Sequence, residues 1–467
     1  MSVLKKLQEV ETLEAFADLL GYTPSGLAYI LYKIPSRAKY NKFSIPKKNG
    51  GVREINAPTD KLKQLQARLA NILYACRYEI EANNPKLKPL SHAYRAGLSI
   101  VTNAKPHKNR RYVLNIDLEN FFPSINFGRV RGFFIKDKDF SLSAAAATII
   151  AQIACYENEL PQGSPCSPII SDLLARVLDR RLARLARKNR IAYSRYADDL
   201  TFSTNEKDFP SALAATDATG AWVLGADLRG QIVRSGFSIN EKKTRMQLGS
   251  SRQTVTGLTV NRNVNVPSNY YKNARAMTET LFRTGEFHID GTKSDSLDRL
   301  HGILNYNYYV KHVCRVQRKN ETENVKSKDL RGIRSVYSKF LRYKYFVALK
   351  RPLIICEGKT DNSHLRYAIR NLKKFHPALG EISAIGHFSL NISLFSFDKI
   401  HNDLFNLNGG SAPLKDFIVN YERDLKPYTH RPFAAPVIIL IDNDSGAKEI
   451  FGVINSKFKK NNFFGYD

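Results

Sequence analysis

Disulfides are the first thing this sequence cannot support. Its five cysteines, Cys76, Cys155, Cys166, Cys314 and Cys356, are odd in number and widely spaced. No CxxC pair and no Cys/His zinc spacing occurs, so the thiols read as reduced core residues of a cytoplasmic protein. Long apolar runs are also lacking. The longest, Ala144 to Cys155, is about 12 residues and is broken by Gln152, too short to span a bilayer. The first residues, Met1-Ser2-Val3-Leu4-Lys5-Lys6, lead into alternating acids and apolar residues without a signal-peptide core. No membrane partner is expected. Acidic residues are scarce: 43 Asp and Glu face 72 Lys and Arg, a net charge of +29. Such an imbalance costs self-repulsion in a compact fold, so a polyanionic partner is the natural reading, with an anionic membrane surface the weaker one.

What is present fits a globular chain. Its 43% hydrophobic and 25% charged residues exclude intrinsic disorder, and 467 residues suggest two or three domains. No internal repeat or low-complexity tract appears. Residues 11–32 have helical spacing through Leu13, Phe16, Leu19 and Leu20. Phe43 to Ile55 reads as strand, turn and strand, turning at Asn49-Gly50-Gly51. Lys61 to Ile80 reads as a helix, Tyr112 to Ile116 as a strand and Phe140 to Ala154 as a buried helix. Leu173 to Lys188 is a basic amphipathic helix, and Ala192 to Ser203 two strands around an acidic turn. Residues 231–266 promise more strands, and 268–349 more helices. At Leu353-Ile354-Ile355-Cys356 and Val437 to Ile441 the character shifts to buried strands of a small parallel α/β domain. No flexible linker separates it from what precedes, so the two parts should be docked.

Two groups of acids stand out. In Tyr196-Ala197-Asp198-Asp199, adjacent acids sit at a hairpin tip, an arrangement that is costly unless a cation neutralises it. Asp117 ends the strand Tyr112–Ile116. Transfer to a 3′-hydroxyl needs two Mg²⁺ held by carboxylates from neighbouring strands, and Asp117, Asp198 and Asp199 supply that set if the strands are adjacent. Tyr196-Ala197-Asp198-Asp199 resembles the hairpin signature of reverse transcriptases. Asp117-Leu118-Glu119-Asn120-Phe121-Phe122 resembles their first catalytic block, and Leu160-Pro161-Gln162-Gly163-Ser164-Pro165 the block under the incoming nucleotide. The three occur in the family's order. The resemblance implies an α+β right-hand polymerase of fingers, palm and thumb. It makes Phe122 a gate against the 2′-hydroxyl and lets Gln162 and Gly163 lie close to nucleotide and template. It gives Lys47, Lys48 and Arg53 to the triphosphate, and Lys243 to proton donation toward pyrophosphate.

Two short patterns narrow the resemblance to retron reverse transcriptases: Asn103-Ala104-Lys105-Pro106-His107 matches NAxxH, and Val255-Thr256-Gly257 matches VTG. They imply an enzyme that recognises its own structured noncoding RNA, primes from a 2′-hydroxyl on it and makes branched RNA–DNA. RNA contacts are then expected from Asn103, His107, Arg110, Arg111, Val255, Thr256 and Gly257, with Lys105 and Lys108 beside them. The helix bearing Arg180, Arg181, Arg184, Arg187 and Lys188 lines a nucleic-acid channel or is a solvated face. In the thumb region, Tyr306, Tyr308 and Tyr309, with Lys311 and Arg315, stack on bases or pack helix on helix.

The second group lies at the ends of the late strands. Glu357 follows the strand 353–356, with Asp361 four residues on. Asp442-Asn443-Asp444 follows the strand 437–441. Acids at the C-terminal ends of adjacent parallel strands meet at the usual ligand crevice. The pair resembles the Toprim fold, which implies acid/base or metal work for Glu357 and Mg²⁺ or Mn²⁺ on Glu357, Asp442 and Asp444. That fold normally continues past Asp444 with further strands, and only the stretch to Asp467 follows, which leaves the completeness of the domain open.

The sequence therefore reads as fingers and palm in 1–265, thumb in 266–349 and a Toprim-like domain in 350–467. Its expected function is reverse transcription of its own noncoding RNA into multicopy single-stranded DNA from deoxynucleoside triphosphates. The Toprim-like domain would be a nuclease effector in antiphage defence, and self-association stays open. The alternatives are an intron-type or other bacterial reverse transcriptase, and a noncatalytic RNA-binding scaffold.

Overall fold

The computed structural model describes residues 2–47, 50–85, 88–319, 331–372, 377–383, 386–442 and 445–457. They divide into two units, Met1–Asn265 and Val266–Asp467.

In the first unit, strands β1 (Tyr40–Pro46) and β2 (Val52–Pro58) form an antiparallel hairpin, from Tyr40 opposite Pro58 to Pro46 opposite Val52. Lys48 and Asn49, expected at its turn, lie outside the described residues. The helix Asp60–Ala82 follows, two residues longer at its C-terminus than expected. It buries Leu62, Leu65, Leu69, Leu73, Cys76 and Ile80, a stripe at three- and four-residue spacing.

Strands β3 (Tyr112–Glu119), β4 (Ala192–Tyr196) and β5 (Asp199–Thr204), the short hairpin β6 (Ala214–Thr216) and β7 (Trp222–Leu224), and β8 (Ser238–Leu248) come next. Four of them make one antiparallel sheet in the order β4-β5-β3-β8. Val113, Leu114, Ile116, Leu200 and Phe202 are buried in it, each full burial contributing about 1.5–3 kcal/mol. A last hairpin, β9 (Thr254–Val255) and β10 (Leu258–Thr259), closes the unit.

Four expected elements differ. Residues 11–32, read as one helical stretch, are broken after the helix Leu13–Leu20, where Gly21 takes φ +68°, and resume at Pro24. The buried helix begins at Ala144 rather than Phe140, because the Ser143 hydroxyl accepts from Ala146 N and caps it. Leu173–Lys188 runs as two helices, Ser167–Leu174 and Arg176–Lys188, that meet at Ala175. The region expected to hold only strands after residue 231 overlaps a helix, Ala226–Arg234, that buries Leu228 and Ile232 one turn apart.

In the second unit, the helices Ser268–Thr284, Leu297–Lys319 and Arg331–Arg342 accompany the hairpin β11 (Phe287–Ile289) and β12 (Thr292–Ser294). β13 (Leu353–Cys356) follows, then β14 (Gly380–Ile382) paired with β15 (Phe388–Leu390), β16 (Ser393–Leu394) and β17 (Val437–Leu440). β13 is central and parallel to both β16 and β17, as the apolar runs suggested, but only β13 is largely buried: β17, expected buried, lies at the edge with Ile438 and Leu440 exposed. One core serves the helices and this sheet: Phe346 packs on Phe395, Phe405 and Phe417, and Tyr428 on Phe282 and Tyr343. Of the tyrosines expected to stack on bases or pack helices, Tyr308 is buried in that core and Tyr309 is exposed. The side chain of Arg315 lies outside the described residues. Among the described residues no helix is long and apolar enough to cross a membrane.

Candidate active site

The antiparallel register of the palm-like sheet sets Asp117 on β3 directly opposite Asp199 on β5. Asp198 occupies the turn that joins β4 to β5, beyond the Tyr196–Asp199 rung. Leu118 N donates to the Asp198 carbonyl at 3.0 Å, so the turn is tied to the residue after Asp117. The turn holds Ala197 at φ +55°, a left-handed conformation that costs an L-residue on the order of 1 kcal/mol. On the other flank β3 and β8 shift register between Asn115 and Asp117, an irregularity that takes a side chain out of the regular pleat.

Burial pushes the Asp198 carboxyl above its ordinary value, and Asp117 beside it adds to the rise. Asp199 is pushed up to about 6, first by the protein crowding it and then by Asp198 and Asp117. Against this stand cations from two strands. Lys243 Nζ on β8 lies 3.1 Å and 2.9 Å from the two carboxylate oxygens of Asp117. Arg53 on β2 draws Asp198 down and Arg245 draws Asp199 down. Among the described residues no three His, Cys, Asp or Glu side chains enclose a metal position as they stand, and Lys243 is the cation on Asp117. The donor set nevertheless suits a hard divalent ion, since mutual repulsion of three carboxylates is what such an ion removes.

The nucleotide block sits against the β1–β2 hairpin. Asn56 N donates to Gln162 O at 2.9 Å. Gly163 has φ +116°, and a Cβ there would lie 3.0 Å from Asn56 O and from Ile55 Cγ2, so only glycine permits this approach. Phe122 is half-buried, edge-on to the buried Phe121 at 5.4 Å. Lys47 and Arg53 are exposed near the end of the hairpin.

The retron signatures require a correction. Asn103, His107 and Val255 are fully buried, so their side chains present no face to RNA. His107 Nε2 lies 2.8 Å from Ser194 Oγ on β4, and Nδ1 2.7 Å from Ser203 Oγ on β5. Ser194 Oγ also lies 2.8 Å from Asn103 Oδ1. The NAxxH residues therefore clamp the two strands that carry the acidic turn. Val255 and Leu258 pair across Thr256 and Gly257, at φ +45° and +81°, the two positive values of a tight hairpin turn. Thr256 Oγ1 donates to Ile100 O at 3.3 Å, which joins VTG to the helix bearing Asn103. Arg110 is half-buried and donates to Pro106 O, whereas Arg111 and Gly257 are exposed.

A buried ionic group escaped the sequence reading. Arg195 Nε and Nη2 reach the two oxygens of Asp179 at 2.8 Å and 2.7 Å, Nη2 reaches Asp172 at 3.0 Å, and Nη1 donates to Ala197 O in the turn. Burial pushes the Asp172 carboxyl up, but Arg195, Arg95, Ser91 and Arg77 together hold it below the usual carboxylate range. Asp172 and Asp179 are seven residues apart, among the apolar positions of their helices, and that spacing was the available signal.

At the second acid group, Glu357 N donates to Leu440 O at 3.0 Å, and Asp442 N lies 3.2 Å from Glu357 Oε2. Glu357 and Asp442 therefore meet at the C-terminal ends of β13 and β17. Asp361 turns back to accept from Gly358 N at 2.8 Å. Asp444 lies outside the described residues.

Residues 45–262 match the family described as reverse transcriptase (RNA-dependent DNA polymerase). The retron Mx65 reverse transcriptase of Myxococcus xanthus is 34% identical over 302 residues, spanning 60% of this chain and 66% of that one. The retron Mx162 reverse transcriptase of the same organism is 30% identical, spanning 64% of this chain and 63% of that one. The chain thus covers less than two thirds of the length of these two relatives. The retron Ec86 reverse transcriptase of Escherichia coli is 32% identical over 272 residues, which span 57% of this chain and 75% of that enzyme. The chain belongs to the retron reverse transcriptase family. The family match covers residues 45–262, and the sheet that brings Glu357 to Asp442 lies beyond them. A telomerase structure from Candida albicans, in complex with a fragment of telomeric RNA, has a TM-score of 0.36 at 10% identity, covering 66% of this retron reverse transcriptase and 62% of that chain.

The clamp makes the palm of this family member acid-sensitive. Burial, then Arg110 and His92, push His107 down to about 3, against about 6.5 in an unfolded chain. Between those values the unfolded chain binds a proton that the folded one refuses, so stability falls as pH drops. From pH 7 to pH 5 this one group should remove about 2 kcal/mol. Denaturant unfolding, followed by the fluorescence of Trp222, the chain's single tryptophan, should show that loss in the wild type. His107→Gln should lack that share of it.

Proposed function

We propose that this chain is the RNA-directed DNA polymerase of a retron, copying its own structured noncoding RNA into branched multicopy single-stranded DNA. Fingers and palm are assigned to 1–265, the thumb to 266–349 and a Toprim-like effector to 350–467. The observation that carries the polymerase reading is the cross-strand meeting of Asp117 and Asp199, with Asp198 tied to β3 by its carbonyl. Asp117, Asp198 and Asp199 would hold two Mg²⁺ ions, which when bound supply charge neutralisation at the triphosphate and activation of the attacking hydroxyl. The residues themselves do the positioning. Lys243, on Asp117, is placed to donate a proton to the leaving pyrophosphate. Lys47 and Arg53 grip the triphosphate from the hairpin. Gly163 keeps the floor of the site flat against β2, and Phe122 closes the space beside the sugar 2′ position. The exposed Lys108, Arg111 and Gly257 and the half-buried Lys105, Arg110 and Thr256 are the members of the retron signature region left to meet the RNA.

The C-terminal sheet supports a second activity. Glu357 and Asp442 converge at the end of parallel strands, with Asp444 the expected third acid, and would hold Mg²⁺ or Mn²⁺ for phosphodiester hydrolysis. In this reading the effector acts in antiphage defence, and the reverse-transcribed DNA restrains it.

Asp198→Asn keeps the shape and removes one charge, so primer extension on an RNA template should fall about a thousandfold or more. Extension at the wild-type rate would leave an RNA-binding scaffold as the better account. Phe122→Ala should raise ribonucleotide incorporation relative to deoxyribonucleotide on the same template, and an unchanged ratio would make Phe122 a packing residue only. Glu357→Ala should leave cDNA synthesis intact, measured on a gel, while protection of the host against phage is lost. Full protection by that variant would reduce the C-terminal domain to a structural role.

A further inference from the structure

The helix Arg176–Lys188 carries six cations and a single acid, Asp179. Its inward stripe of Leu178, Asp179, Leu182 and Ala186 is buried, and Asp179 accepts from Tyr193 and Arg195 of β4. Side chains alternate faces along a strand. Tyr193 and Arg195 therefore point to this helix, and Ser194 between them points to the other side, where His107 and Asn103 meet it. Cross-strand partners share a face. Tyr196 lies opposite Asp199, and Asp199 opposite Asp117, so both acids lie on the Ser194 side. The helix is on the back of the palm-like sheet, with the sheet between it and the acids. It does not line a channel over them.

Its outer face is strongly charged. Arg180, Arg184, Arg187 and Lys188 are exposed. Their spacing, i, i+4, i+7 and i+8, sets them on one face, along about 12 Å of helix. Among the described residues none of these four side chains is held in a salt bridge or a hydrogen bond. Arg181 beside them is half-buried and donates to Ser235 Oγ at 3.1 Å. Like charges one turn apart on a helix repel, and the helix's one carboxylate is turned inward to Arg195. A polyanion on the outer face removes that repulsion. The helix has no aromatic residue, so it offers nothing for unpaired bases to stack on. A row of cations without stacking partners suits the regular phosphates on the outside of a double helix, which is recognised by charge and shape.

We propose that this outer face docks a double-helical stem of RNA on the side of the sheet opposite the acids. The inference rests on the reading of the chain as an enzyme that holds its own structured RNA. One RNA is then gripped twice, its unpaired template at Asp117, Asp198 and Asp199 and a stem behind the sheet. A stem held there stays tethered while the template is drawn past the acids.

The test uses the full chain freed of nucleic acid by high salt, in EDTA and without nucleotide. Affinity for a blunt RNA duplex of arbitrary sequence is measured by fluorescence anisotropy over a series of salt concentrations. Arg180→Gln, Arg184→Gln, Arg187→Gln and Lys188→Gln combined should weaken binding about tenfold or more, and should flatten the slope of log affinity on log salt by about three to four. A matched variant, Lys5→Gln, Lys6→Gln, Lys33→Gln and Arg37→Gln, removes four exposed cations from the N-terminal segment and should bind as the wild type does. Binding is read without catalysis, so a chain that fails to polymerise and a chain that lacks this surface give separate results, and Asp198→Asn should bind the duplex normally. Should the combined helix variant fail to fold, acetylation of the wild-type lysines decides, because the duplex should protect Lys188 and leave the exposed Lys5 and Lys6 reactive. Unchanged affinity in the helix variant, an equal loss in the matched variant, or no protection of Lys188 would overturn the proposal. So would an equal loss for single-stranded oligouridylate, which would make the face a tether for any phosphate chain.

Discussion

The register between β3 and β5 is the constraint on which the candidate site depends. Asp117 faces Asp199 because the rungs from Tyr112 opposite Thr204 onward leave no alternative without exposing the buried side of the sheet. Side chains alternate faces along a strand, so a slip of one residue would send Asp117 to the far side and bring Ile116 and Leu200 out of the core. The apolar residues that stabilise the sheet and the acids that give it chemistry are therefore set by the same pairing. The acids meet at the end of that pairing, where β4 turns into β5, and the Leu118–Asp198 main-chain bond holds the turn there.

Placing three carboxylates together works against folding, and the surrounding structure offsets it from two directions. On the open side, Lys243, Arg53 and Arg245 supply positive charge. On the buried side, Arg195 anchors the turn between Asp172 and Asp179, and His107 bridges Ser194 and Ser203. Buried ion pairs add little net stability compared with a well-packed apolar replacement. Their contribution here is position: each bond ends on the strands or the turn that carry Asp198 and Asp199. The two retron signatures belong to this support. They are about 150 residues apart in sequence, yet Thr256 bonds to the helix that carries Asn103.

The acids and the strands around them were legible because their signals are local. Two strand-like runs flanking adjacent acids marked β4 and β5 nearly to the residue, and apolar residues at helical spacing marked the long helix. The C-terminal strands were legible as runs of consecutive apolar residues, although only the central β13 is covered on both faces, and β17 leaves Ile438 and Leu440 exposed. What escaped was non-local. A motif residue such as His107 reads as a surface contact until its burial against two serines on distant strands is known. Asp172 and Asp179 drew no reading at all, although both reach the same buried arginine. Helix boundaries slipped where a single cap, as at Ser143, decided the start.

The sequence by itself determined the chemistry on offer: acids at strand ends, an aromatic after the first acid, a glycine in the nucleotide block, and an excess of positive charge. These follow from residue type and short spacing, which need no knowledge of what lies across the fold. Tertiary structure alone decided which of those residues are neighbours and which are sealed from solvent. It put Asp117 against Asp199, turned the retron signatures inward, and set the basic helix Arg176–Lys188 behind the sheet. The physical reason is that burial and pairing depend on residues tens to hundreds of positions apart. A charged or polar side chain has no fixed role until the partner that desolvates or neutralises it is in place.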